Sequence, residues 1–485
     1  MVIRLNLHTA SDAIHTPSEP STASHHSILA SSPTSSSSHT VAPPILTTEA
    51  KDSLPTITQT LITRLLSSAS PHTGLLPALG YWQTANAYTA TALHDIWSVK
   101  PRRGSLRPPG PHPNIPLLQH LLSLILHHIP HCINDFNDDT LWYALLLLHL
   151  YTATGEGKYL VICREIYKHV RRFVLPRGAR DAKGRDVEGA VLWKSIGEGG
   201  EGGCREVNSI TTGLWGEFCG LLAVIQLEER KGQGHGDGYG NGEGDGTGIE
   251  PGDERSAIPG PEQLVEQAMT SVGFVLATLF RPEELLVLDT LKLDTGEVVE
   301  WTFTYTTAQT VAGCIAIHSA ALALPDSSVG EEGRQKNQRK RADSLLVLAV
   351  WMIESAMRRR EWVEDGVLAE YSAYGPGTHD AEENNDAVGF KSVLIRTIGK
   401  MYDYLRRLRD EEVEVDGLHR REKDMMLEKM KRFAETTFES VRRFREDDEG
   451  RYGPWWAGPR GRSTMHSNMA VMDLMAVMRL MNRDD

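Results

Sequence analysis

Along most of the chain apolar residues recur at three- and four-residue spacing, the period of a helix that buries one face. The pattern predicts twelve helices, over 52–68, 82–98, 114–130, 139–154, 157–174, 207–229, 262–280, 307–323, 339–359, 388–409, 417–445 and 464–481. Strand-type alternation is nearly absent, so an all-α fold is expected. Pro261 stands at the start of one segment and Gly155 just past the end of another, while Asn137, Asp138 and Asp139 offer oxygens suited to cap the helix they precede. The run from Leu141 to Leu150 is almost wholly apolar rather than striped, as expected of a helix enclosed on every side. Twelve helices make six hairpins, and a closed ring of them would enclose six helices and leave loops at one end to build a cleft. A solenoid is the alternative, but no repeat of fixed length is present.

Two stretches break the pattern. Residues 1–48 are rich in Ser, Thr, Pro and His, a composition expected to stay disordered because it buries too little apolar area. Residues 231–260 alternate Gly with polar residues and read as a flexible surface insertion. The remainder, 49–485, is expected to form one domain carrying that insertion. The basic run Arg334 to Arg341 lies between helical patterns and reads as a solvated loop.

Composition narrows the partners. A formal charge of −13 argues against a nucleic acid, whose phosphates need a concentrated excess of Lys and Arg. Five scattered cysteines form neither a disulfide framework nor a metal-type pair. His120, His127, His128 and His131 fall partly on one helix face, but no second cluster with metal spacing accompanies them, so no metal and no cofactor are expected. No run of 18 or more apolar residues predicts a transmembrane helix, and neither an export signal nor a lipid-anchor tail is expected.

The sharpest candidate chemistry is Phe136-Asn137-Asp138-Asp139-Thr140-Leu141-Trp142. An acidic pair before an apolar helix usually caps it. Two neighbouring carboxyls are also what glycoside hydrolysis needs, one to attack or stabilise the anomeric carbon and one to protonate the leaving oxygen. Their mutual repulsion is expected to keep one protonated near neutral pH, while the helix N-terminus favours the other as an anion. Trp142 and the separate segment Gly80-Tyr81-Trp82-Gln83-Thr84-Ala85-Asn86 add aromatic faces and amides of the kind that bind sugars.

Together the YWQTAN segment and NDDTLWYALLLLHLYTATGEGKYL, with Thr154, Gly155, Tyr159 and Leu160 at the hairpin, resemble the opening half of glycoside hydrolase family 76, the α-1,6-mannanase family. Further similar elements follow in order: Gly189 to Trp193, Asn208-Ser209-Ile210, Asp289, Trp301, then Asp386, Phe390, Lys391 and Arg396, and Trp455 to Pro459. The similarity spans about residues 55 to 482. It implies an (α/α)6 toroid and a retaining mechanism, with Asp138 as nucleophile and Asp139 as acid/base. Tyr81, Trp82, Gln83, Asn86, Trp142, Trp193, Asn208, Trp301, Tyr305, Gln309, Asp386, Lys391 and Arg396 are the implied substrate contacts. For Lys391 and Arg396, which share one helix, an ion-paired or exposed face is the alternative, and Trp455 is a further candidate for stacking on a sugar. Thr306, Ala308, Thr212 and Ser392 depart from the family pattern, and Thr306 is expected to remove an amide that faces sugar.

The resemblance therefore implies a retaining, endo-acting glycosidase that binds mannan or mannooligosaccharide, acting as a monomer outside the cell or in its wall. The missing export signal sits against that location. Two alternatives remain: a cell-wall mannan transglycosidase using a sugar hydroxyl in place of water, and a non-catalytic glycan-binding relative. An unsaturated glucuronyl hydrolase on a similar toroid finds no support in the YWQ and DD segments.

Overall fold

The computed structural model describes residues 46–99, 112–195, 205–233, 258–325, 332–447 and 450–483. Twelve α-helices run through these described residues, one for each expected segment: α1 (Thr48–Ser67), α2 (Tyr81–Trp97), α3 (Ile115–His128), α4 (Asn137–Thr154), α5 (Lys158–Arg171), α6 (Ser209–Gln233), α7 (Pro261–Thr278), α8 (Thr304–Ala323), α9 (Glu332–Ala356), α10 (Phe390–Asp410), α11 (Arg420–Arg443) and α12 (Met465–Met481). The even-numbered helices pack in sequence order, and α12 returns to α2, closing an inner ring. Each odd-numbered helix lies outside it against an even-numbered one, and α1 closes onto α12. This is an all-α toroid of six hairpins.

Burial follows from the residue patterns. On α4 the run from Thr140 to Leu148 is buried without interruption, because neighbours cover every side of an inner helix. Outer helices keep a stripe: α5 buries Tyr159, Leu160, Cys163, Ile166, Tyr167 and Val170 and turns its Lys and Arg residues outward. The α6–α8 contact is especially close, since a Cβ on Gly220 would lie 2.8 Å from that of Ala316. Ser209–Lys231 is long and apolar enough to span a bilayer, which the sequence reading did not register, but 89% of its most apolar window is buried inside the ring.

Local signals resolve unevenly. Gly155 ends α4 in the left-handed conformation (φ 73°), where glycine carries no steric penalty. Pro261 occupies the first turn of α7. Asn137, Asp138 and Asp139, by contrast, are already inside α4, whose N-cap is Phe136, and no side chain caps that helix conventionally. The run Arg334 to Arg341 is not a loop but the early part of α9, because Arg, Lys and Gln are strong helix formers. Arg339 reaches Asp343 one turn on (3.0 Å), and Asp343 in turn meets the buried His318. Of the expected tail, Leu46 is buried and Thr47 caps α1, and residues 1–45 lie outside the described residues. Of the expected insertion, 231–233 finish α6, 258–260 lead into α7, and 234–257 lie outside the described residues.

Short strands, nearly invisible in the sequence pattern, decorate one end of the ring. β1 (Glu206–Asn208), β4 (Thr290–Lys292) and β5 (Glu297–Val299) form an antiparallel sheet in the order β1-β4-β5. β2 (Phe280–Arg281) pairs with β3 (Leu286–Val287), and β6 (Val363–Glu364) with β7 (Val367–Leu368). Inside the ring a polar network ties the inner helices together. Arg396 makes two 2.7 Å bonds to Asp473 and donates to Asn86 Oδ1 at 2.6 Å, all of them buried. Glu217 receives Lys400 at 2.5 Å and Gln309 at 2.6 Å. Each buried charge keeps its partners, as burial demands.

Candidate active site

The loops at one end of the toroid enclose a cleft of about 690 Å³. Its floor begins with the N-terminus of α4. There Asn137 donates its backbone N–H to Trp193 O (2.9 Å) and its side-chain amide to Leu192 O (2.8 Å), stitching the 190–194 segment to the start of the helix. That junction lays Trp193 beside Asp138, and the indole Nε1 donates to Asp138 Oδ2 at 3.1 Å. The Asp139 amide donates to Asp138 Oδ1 (3.0 Å), and Asn134 Nδ2 donates to Asp139 Oδ2 (2.9 Å).

Both carboxyls hold their protons unusually tightly. Burial, then the neighbouring Asp139 charge, pushes Asp138 up to about 7, against the pull of the Asp139 amide and the Trp193 N–H. Burial pushes Asp139 up to about 6, with Asn134 opposing and Asp386 adding repulsion. The sequence reading expected one of them to be protonated near neutral pH and the other to be favoured as an anion by the helix N-terminus; burial raises the proton affinity of both.

Aromatic rings wall the cleft. Trp82 and Trp142 stack with centroids 6.2 Å apart, and Phe303 lies on Tyr305 at 5.7 Å and 14°. Trp301 stands 64% exposed at the rim. Tyr305 donates its hydroxyl to Asp289 Oδ1 at 3.0 Å, and burial raises the proton affinity of both groups. The opposite wall is the β1-β4-β5 sheet. Its registers place Glu206, Lys292 and Glu297 in one cross-strand row and Asn208, Thr290 and Val299 in the next. Because side chains alternate with period two, all six share one face and line the cleft.

Asp138, Trp82, Trp142, Trp193, Asn208, Trp301, Tyr305 and Asp386 therefore meet at one cavity. Gln83 is buried behind it and acts on it through Asp386, donating to Oδ1 at 2.5 Å. Tyr81 packs on Tyr143 (centroids 4.3 Å) with Asp139 close by. Asn86, Gln309, Lys391 and Arg396 do not reach the cleft. The first, second and fourth belong to the polar network of the ring, and Lys391, also buried, donates to Val388 O (3.0 Å) beside Glu370 and over the Trp456 ring. The resemblance implied a ligand role for them, but the inner helices turn these side chains to partners inside the ring. Trp455 is likewise buried, against Tyr374 and Val388.

The family departures fall behind the walls too. Thr306 is buried and donates to Phe303 O at 2.8 Å, and buried Thr212 accepts the Val191 N–H at 3.1 Å. Ala308 and Ser392 are fully buried. Sequence reading missed Glu206, Lys292, Glu297 and Phe303, and left Asp289 and Phe390 as motif markers only. The turn Asp294-Thr295-Gly296, between Thr290-Leu291-Lys292 and Glu297-Val298-Val299, was the signal available for the sheet.

A closed ring of six helical hairpins is a fold shared with known proteins. No protein-family model and no curated protein matches the chain. Solved structures do. An inactive variant of the α-1,6-mannanase GH76A of Salegentibacter sp. HEL1_6, with two consecutive aspartates replaced by asparagine and α-1,6-mannotriose bound, is 17% identical, with TM-score 0.57 over 88% of this chain and 100% of that one. A GH76 α-mannanase of Bacteroides thetaiotaomicron is 13% identical, with TM-score 0.51 over 89% of this chain and 96% of that one. Dfg5 of Chaetomium thermophilum in complex with glucosamine is 14% identical, with TM-score 0.54 over 90% of this chain and 92% of that one. The chain has the fold of the family 76 glycoside hydrolases.

Proposed function

We propose that residues 49–485 work as a family 76 glycoside hydrolase that cleaves α-1,6-linked mannan internally with retention of configuration. The observation that carries this reading is the adjacent pair Asp138 and Asp139 at a helix N-terminus, both with raised proton affinity, with Asp138 lining the aromatic cleft and Asp139 held beside it by Asn134. One proton shared by the pair near neutral pH provides the two states that a double displacement needs. Asp138 attacks the anomeric carbon while Asp139 protonates the departing glycosidic oxygen; Asp139 then takes a proton from water, which opens the glycosyl ester. The Trp193 N–H steadies Asp138 as the anion, and Trp82, Trp142 and Trp301 offer faces for sugar rings. The bacterial relative that binds α-1,6-mannotriose and is inactive without its consecutive aspartates supports this assignment.

The test is digestion of linear α-1,6-mannan by the wild type and by Asp138→Asn and Asp139→Asn, with NMR of the first-formed anomer. Internal cleavage to α-configured products, lost in both variants, is expected. A wild type without cleavage overturns the reading in favour of glycan binding alone. The likeness to the glucosamine complex of Dfg5 keeps a second reading alive, transfer to a sugar hydroxyl, and products longer than the substrate would identify it.

A further inference from the structure

One polar cluster at the cleft has no part in the steps above. Asp386 lines the cleft with its side chain 59% exposed, and its Oδ1 is held from behind by Gln83 Nε2 at 2.5 Å and by His466 Nε2 at 3.2 Å. The His466 side chain, in the first turn of α12, is only 5% exposed. Its other ring nitrogen, Nδ1, lies 2.5 Å from Asn384 Oδ1. Two backbone contacts fix the orientation of that amide: the His466 N–H donates to Asn384 Oδ1 (3.1 Å), and Asn384 Nδ2 donates to Ala78 O (2.5 Å). Nδ1 therefore faces an oxygen and has to donate, and Nε2 faces a carboxylate oxygen and has to donate as well. A neutral imidazole carries one N–H; two acceptors call for two. Asp139 on α4 feels the Asp386 charge, while Gln83 on α2 and Asn384 are neutral.

We propose that His466 is a positioning residue that donates from both ring nitrogens, to Asn384 Oδ1 and to Asp386 Oδ1, and so aims Asp386 into the cleft within electrostatic reach of the acid/base Asp139. The inference rests on the role given to Asp139 above. Asp386 as an anion strengthens the hold of Asp139 on its proton, and the cation behind it moderates that effect. The two charges thus set the pH at which Asp139 still has a proton to give.

His466→Gln removes a positive charge and Asp386→Asn a negative one, so the pair moves the basic limb of the kcat/KM profile on mannan in opposite directions. The limb rises in His466→Gln and falls in Asp386→Asn, each by about half a pH unit, the effect of one charge partly screened by water. The double variant returns close to the wild type. Limbs that stay put, or move the same way, overturn the proposal, because a purely structural role lowers kcat without this opposition. The second measurement needs no activity. The ¹⁵N spectrum of the wild type at pH 7 shows both His466 ring nitrogens protonated, and Asp386→Asn loses one of those protons. A single protonated nitrogen in the wild type overturns the proposal. Should the wild type leave mannan intact, the hydrolase reading falls and the spectrum alone decides this one.

Discussion

The indole N–H of Trp193 meets the carboxylate of Asp138 at 3.1 Å across 55 residues of chain, held there by the bonds that join Asn137 to the backbone of residues 192 and 193. A hydrogen bond to a charged acceptor contributes about 1.5–3 kcal/mol. Trp193→Phe keeps a ring and removes the donor, so Asp138 ionises less readily. The expected outcome is an acidic limb of kcat/KM moved to higher pH and a loss of about 10- to 100-fold below it, read from rates between pH 4 and 8. An unmoved limb would show that this bond does not steady the nucleophile.

Asp138 also couples stability to pH. Its affinity for a proton is raised in the folded protein, from 3.8 to about 7, so the native state binds more protons than the unfolded chain between those values. Stability therefore declines as pH rises through about 4 to 7 and levels off above. Asp138→Asn removes that decline. Thermal unfolding is expected to show equal stability at pH 4 and a variant more stable at pH 8 by on the order of 1–2 kcal/mol, a figure reduced because the residue is only half-buried by exposed area.

Arg396 belongs to the ring rather than to the ligand. Arg396→Met leaves Asp473 buried without its cation, which costs about 3–5 kcal/mol. Chemical denaturation measures that loss, while KM for mannan per folded molecule stays at the wild-type value. A raised KM with unchanged stability would return Arg396 to the cleft.

Trp301 is the converse. Standing 64% exposed on the rim, it supports little of the core. Trp301→Ala is expected to leave the unfolding midpoint within about 0.5 kcal/mol and to raise KM for long mannooligosaccharides several-fold with little change in kcat. Steady-state rates on short and long substrates check it.

The twelve helices were legible because each buries a face or its whole circumference, and that leaves a period in the sequence. Two- and three-residue strands leave none, so the wall bearing Glu206, Lys292 and Glu297 stayed hidden although Asp294-Thr295-Gly296 marked its turn. Asp138, Trp142 and Trp193 were readable from motif and resemblance. Polar residues on buried inner helices misled in the other direction: Asn86 and Arg396 resemble ligand contacts in one dimension and bond to each other in three. The histidine behind Asp386 lay 80 residues away, where no local pattern could link the two.

The ring closes between its first and last helices, α12 packing on α1 and α2. A polypeptide emerging from the ribosome thus has to complete α12 before the toroid can shut, and until then Asp386 has not met His466. Newly made chain that stops short of Met465 would leave the apolar flank of α2 uncovered and the mouth of the cleft unfinished.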